Sequence, residues 1–196
     1  MAYLEKIKKY NTRRASPVLQ RSALLVIDLQ HYFHAMCGPI VGNVLSLIDA
    51  CRDAQTAIVY TRHGHRDPQK DGGMLGKWWG DLILYGSRPW ELNDELNPSS
   101  SELVLDKNRY SAFHDTDLDG WLRQRGVEDV IISGVMTNCC CETTAREAFV
   151  RDYRVFFVAD ATATINEELH LASLKNLAYG FSYVVETEEL IRCLMC

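Results

Sequence analysis

A chain of 196 residues that is 47% apolar and 24% charged can bury one sizeable core, which excludes a disordered chain and predicts a single α/β domain over residues 1–196. The formal net charge of −5 supplies no electrostatic footprint for nucleic acid or an anionic membrane, and no apolar run is long enough to span a bilayer. Seven cysteines is an odd number, with three adjacent and Cys193 and Cys196 near the C-terminus, so a disulfide scaffold is excluded and free thiols in the cytoplasm are expected.

The N-terminal stretch EKIKKYNTRR is basic, but Tyr3, Leu4, Ile7 and Tyr10 interleave with its charges and make it a packing arm. Glu5, Lys6, Lys8 and Lys9 interrupt any signal-peptide core. Six short β-branched runs then recur: ALLVID (23–28), AIVYT (57–61), LVLDK (103–107), DVIISGV (129–135), VFFVAD (155–160) and SYVVE (182–186). Runs without polar alternation predict strands buried on both faces. Between them, IVGNVLSLIDACRDA, TDLDGWLRQRG, CCETTAREAFVRDY and EELHLASLKNLAYG repeat apolar residues at three and four, which predicts helices. The alternation implies right-handed crossovers and a doubly wound, mostly parallel six-stranded sheet with helices on both faces, a Rossmann-like three-layer sandwich. Residues 63–101, rich in Gly, Pro, Asp and Trp, are too long for a tight connection and predict a lid or substrate loop.

Ligands of such sheets bind outside the carboxyl ends of the strands. Asp28 closes the first run, Lys107 closes the third, and Cys139, Cys140 and Cys141 follow the fourth. Singly, each type has an ordinary structural role; together they make a nucleophile, an acceptor for its proton and a cation that stabilises both anions. The carboxylate can also return that proton to a leaving group and activate water. A helix starting at Thr137 or Asn138, both good N-caps, puts all three cysteines in its first turn, where the dipole lowers a thiol pKa. Cys141 shares a face with Ala145, Ala148 and Phe149 and is assigned to the core, and Cys139 aligns with Thr143 and Arg146 on a more polar side. Cys140 is left as the nucleophile.

The blocks ALLVIDLQHYF, LDKNRYSAF and GVMTNCCCETTAREAF resemble, in order, the three signature blocks of the isochorismatase-like cysteine hydrolases. TRHGH and MLGKWW in the insertion add a resemblance to the nicotinamidase-like branch. The resemblance implies catalytic roles for Asp28, Lys107 and Cys140, and a cis peptide between Val135 and Met136 that aims the backbone amides of Met136 and Cys140 at an oxyanion. It also implies hydrolysis of a small carboxamide, such as nicotinamide, through a thioester and without a cofactor. Metal-containing relatives resemble Asp-x-His where this chain has His63-Gly64-His65. Zinc at His63 and His65 is not expected, because no clear third ligand accompanies them, although Asp67 and Asp71 are near. His63 is assigned instead to the substrate pocket, with Phe33, Trp78 and Trp79 as its aromatic wall. Two alternatives stand beside this reading. One is an isochorismatase-type vinyl ether hydrolase, whose members tend to have glycine at the position of Cys140; the other is a catalytically silent binding module. The fold commonly associates through sheet edges and helices, so a homo-oligomer is expected.

Overall fold

In the computed structural model, which describes residues 3–194, the apolar runs form strands β1 (Ser22–Ile27), β2 (Ala57–His63), β3 (Leu103–Lys107), β4 (Asp129–Val135), β5 (Arg154–Ala163) and β6 (Tyr183–Val185). They make one sheet in the order β3-β2-β1-β4-β5-β6, parallel at every pairing. Every residue of the central β1 and β4 is buried, which is why their sequences are mostly apolar, and the buried Asp129 is paired with Arg154. β3 lies at an edge and is only partly buried, and there Arg62 and Asp106 pair across strands at 2.8 Å.

The helices among the described residues are α1 (Tyr3–Ile7), α2 (His34–Cys37), α3 (Val41–Asp53), α4 (Pro68–Asp71), α5 (Gly73–Trp79), α6 (Leu118–Gln124), α7 (Glu142–Val150), α8 (Glu167–Gly180) and α9 (Thr187–Leu194). Alternate strand residues feed opposite layers. Leu25, Ile27, Ile132 and Phe157 pack with Leu122, Ala148 and Leu177 of α6, α7 and α8. Leu24, Val26, Ile131 and Phe156 pack with Leu47 and Ile48 of α3 and Leu190 of α9. Each fully buried Leu, Ile or Phe stabilises the sandwich by about 1.5–3 kcal/mol. The N-terminal arm belongs to the first layer: Ile7 is fully buried, Tyr3 and Leu4 pack beside it, and Lys6 pairs with Glu167 of α8.

Two local features depart from the simple alternation. The chain leaves β4 through a π-helical turn, Thr137–Cys141, and only then enters α7. Neither expected cap serves: the Thr137 hydroxyl bonds His170 Nδ1 at 2.9 Å, and Asn138 Oδ1 accepts from the Thr164 hydroxyl at 2.6 Å. Met136 takes the N-cap position with no side-chain bond. Phe149, expected on the buried face of α7, is largely exposed and packs edge-on against Phe181, while Cys141, Ala145 and Ala148 are fully buried.

The second departure is a register jump, in which β5 partners of β4 pass from Phe157 opposite Ile132 to Thr162 opposite Gly134. Gly134 has φ +113°, and a Cβ there would run into the backbone of Ile27 in β1. Only glycine fits. The insertion folds over the carboxyl edge through α4, α5 and isolated bridges joining Gln30 to Leu92 and His65 to Leu84. Gln30 stitches it down, its amide donating to His63 O (2.9 Å) and Trp90 O (2.7 Å). Cys37, Cys51, Cys139, Cys140, Cys141 and Cys193 are free thiols, and Cys196 lies outside the described residues. Among the described residues no single helix is long and apolar enough to cross a membrane.

Candidate active site

The connections from β1 and β4 run toward opposite ends of the sheet, which makes their carboxyl ends the crevice where doubly wound folds bind ligands. Asp28 follows β1 with φ +51° and is fully buried. Its Oδ2 accepts from Lys107 Nζ at 2.6 Å, and neither side chain of that pair has any solvent exposure. Its Oδ1 accepts from the Thr61 hydroxyl at 2.6 Å, and the same hydroxyl accepts the Asp28 N–H at 3.1 Å. Lys107 Nζ also donates to Arg109 O at 3.1 Å. Cys140, 6% exposed, stands at the π-helical turn where both charges act on its thiol.

The electrostatics differ from the expectation of a thiol acidified by a helix dipole. Burial pushes the Cys140 thiol up, Lys107 pulls it partly back, and Asp28 adds to the rise, so the net shift is upward. Cys141, wholly enclosed in the core, is raised well above the ordinary thiol value by burial first. For Lys107, burial opposes the ammonium, but the Asp28 carboxylate and the Cys140 sulfur outweigh it and hold the lysine above its usual value. Enclosure thus disfavours the thiolate of Cys140, which stands beside the buried Asp28–Lys107 pair. Attack by that sulfur requires its proton to move to the carboxylate as the new bond forms.

Above Cys140 opens a cavity of about 850 Å³ whose wall includes Phe33, His63, Leu75, Trp79, Tyr110 and Met136. Trp78 is not on that wall. Successive residues of α5 turn by roughly 100°, so Trp79 and Leu75 face the cavity while Trp78, 75% exposed, and Met74 face water. Trp79 Nε1 donates to the Tyr110 hydroxyl at 2.8 Å. Cys139 also lines the cavity, half-buried beside that hydroxyl, instead of lying on a polar outer face. The Val135–Met136 peptide is cis.

Burial and then Lys107 lower His63 to about 4, so the imidazole is neutral at physiological pH. His63 and His65 meet ring edge to face at 5.2 Å. His65 Nδ1 is taken up by Asp71 Oδ1 at 3.2 Å, Asp71 also accepts the Arg66 N–H, and Asp67 caps α4. Among the described residues no group of three or more His, Cys, Asp or Glu is placed to hold a metal ion. Asp71 and Asp67 are engaged in these bonds, while His63 Nδ1 and His65 Nε2 are buried without a hydrogen-bond partner among the described residues.

The sequence profile of the Isochorismatase domain matches residues 22–189. The chain belongs to the isochorismatase family. Nicotinamidase 3 of Arabidopsis thaliana is 50% identical over 191 residues, with 96% of each chain covered. A cysteine hydrolase from Pseudomonas syringae pv. phaseolicola 1448A superposes with a TM-score of 0.88 at 32% identity, covering 93% of this chain and 96% of its own. The pyrazinamidase/nicotinamidase of Streptococcus mutans UA159 superposes at 0.75 with 26% identity, covering 84% of this chain and 99% of its own.

This isochorismatase-family hydrolase thus brings Asp28, Lys107 and Cys140 together from three strand ends, with Phe33, His63 and Trp79 around the cavity above them. Sequence reasoning missed Thr61, because a threonine inside a β-branched run reads as a strand former. It also missed Tyr110 and Arg109. Arg109 accepts from Lys107 and donates from its guanidinium to Asp71 O at 2.7 Å, tying the insertion to the ion pair.

Proposed function

We propose that this isochorismatase-family hydrolase is a metal-independent cysteine amidohydrolase that converts nicotinamide, or a small carboxamide close to it, to the carboxylate and ammonia. The observation that carries the reading is the solvent-free Asp28–Lys107 pair against a buried thiol, beneath a cavity with aromatic walls. The likeness to nicotinamidase 3 supports the choice of substrate.

Asp28 takes the Cys140 proton as sulfur attacks the carbonyl carbon, and the backbone amides of Met136 and Cys140 receive the developing oxyanion. Collapse breaks the C–N bond, and Asp28 returns the proton to the departing nitrogen, leaving a thioester. Asp28 then takes a proton from water as it adds to the thioester, and gives that proton to the departing sulfur. Lys107 holds the carboxylate in place through its bond to Asp28 Oδ2 at 2.6 Å. Phe33 and Trp79 sandwich the ring while neutral His63 offers it a hydrogen bond. One domain, 1–196, holds all of these groups, with 63–101 as its lid.

Ammonia release from nicotinamide, benzamide and acetamide, with a vinyl ether as a separate arm, tests the reading. It expects turnover of the aromatic amides, unchanged by a chelator. Vinyl ether cleavage without amide cleavage, or activity lost to the chelator and restored by zinc, would replace it. The cytoplasm and a homo-oligomer complete the proposal: the six described thiols are unpaired, which suits a reducing compartment, and sedimentation of the purified chain reads the assembly.

A further inference from the structure

We infer that Thr61 is a positioning residue for the proton traffic at Cys140, holding the Asp28 carboxylate from the neighbouring strand. The inference rests on the reading of Asp28 as the proton carrier.

Valence fixes the hydrogens around this hydroxyl. A backbone N–H can only donate and a carboxylate oxygen can only accept. Thr61 therefore accepts from Asp28 N at 3.1 Å and donates to Asp28 Oδ1 at 2.6 Å. It has no solvent exposure and does not line the cavity, so it touches no substrate. Its place in the sheet explains the pairing. The β1–β2 register runs to Val26 opposite Tyr60, after which Asp28 turns away into the left-handed region at φ +51°. The hydroxyl serves as the partner that the Asp28 amide loses at that turn.

A carboxylate needs two fixed points to define its plane. Lys107 supplies one at Oδ2 from the end of a long, flexible side chain. Thr61 supplies the other at Oδ1, from a β-branched side chain stiff about χ1 on a strand. With both in place the carboxylate faces Cys140 in one orientation; with Lys107 alone it can pivot about a single contact. Proton transfer depends steeply on that geometry, because donor and acceptor must stay within hydrogen-bond reach.

The test compares two variants with opposite deletions. Thr61→Val keeps the shape and removes the hydroxyl, whereas Thr61→Ser keeps the hydroxyl and removes a methyl group. For nicotinamide, kcat should fall by about 10–100-fold in Thr61→Val with KM within about twofold, and Thr61→Ser should stay within about threefold of wild type. The rate of Cys140 alkylation by iodoacetamide, mapped by peptide mass, should follow the same order. Wild-type kcat in folded Thr61→Val, or Thr61→Ser as slow as Thr61→Val, would overturn the inference. Should Thr61→Val not fold, Thr61→Ser decides alone, since a loss beyond about tenfold would assign the role to packing. If the wild type released no ammonia from any carboxamide, the proposed function would fall, while alkylation, which needs no substrate, would still judge Thr61.

Discussion

Replacing Lys107 with Met removes the cation from the buried pair while keeping a side chain of similar length. At 2.6 Å and an effective dielectric near 20, the direct attraction is about 6 kcal/mol. Desolvation of both charges offsets part of it, and removing one partner of a buried pair costs about 3–5 kcal/mol, because the other charge stays uncompensated. Only the Thr61 hydroxyl and its own position would then support the Asp28 carboxylate. With a urea slope near 2 kcal/mol per molar, the unfolding midpoint should drop by roughly 2 M. The double variant Asp28→Asn/Lys107→Met should recover at least half of that loss while remaining inactive. The pair also has a pH signature. The folded lysine titrates above its unfolded value, so its contribution is present in full below about pH 10.4 and drains away as pH climbs through the folded value. Wild-type stability should therefore fall more steeply above pH 10 than that of Lys107→Met. The Cys140 alkylation profile of the variant should move to higher pH, since Lys107 pulls that thiol down. A Lys107→Met protein within about 1 kcal/mol of wild type would refute the reasoning, because a charge pair sealed from solvent cannot lose one member so cheaply.

Gly134→Ala should cost at least 3 kcal/mol, roughly, by setting a methyl group against the Ile27 backbone at a left-handed position, and denaturation that matches wild type would contradict the strand packing. His63 should make the fold acid-sensitive: its folded value of about 4 lies below the ordinary 6.5, so stability is unaffected above 6.5 and falls as pH drops toward 4. That loss amounts to about 3 kcal/mol and should be absent in His63→Gln, so parallel urea midpoints for the two proteins across that range would exclude it. Of the three adjacent cysteines, Cys140→Ala should abolish turnover and covalent trapping, and fully buried Cys141→Ala should lose about 1 kcal/mol of stability with kcat kept. Cys139→Ala, on the cavity wall, should change KM more than kcat, and an adduct surviving in Cys140→Ala would move the nucleophile elsewhere.

The strands were legible because both faces of the sheet are covered, which makes β1 and β4 mostly apolar and leaves charged residues at or beside their ends. Asp28 and Lys107 stood out for that reason. The π-helical turn was not legible, since Thr137 and Asn138 are drawn off by His170 and Thr164, partners 33 and 26 residues away. Nor was the direction of the thiol shift. A helix terminus is local and visible in a sequence, but the enclosure that outweighs it is created by the whole fold. Trp78 and Trp79 are adjacent and chemically alike, and only the rotation of α5 separates the one in the cavity from the one in water.

Asp28 and Lys107 meet across 79 residues of chain, and Cys140 joins them only after β4 has docked on β1. No hairpin or single crossover can bring these groups together, so a partly folded chain carries the parts of the site without the chemistry. Parallel pairings of this span close slowly, because long loops must be ordered before their contacts form. Regain of turnover after dilution from denaturant should consequently lag behind regain of helix signal. Turnover would then mark the seating of β1, β3 and β4, the strands whose ends carry these groups, and not that of β6 at the far edge.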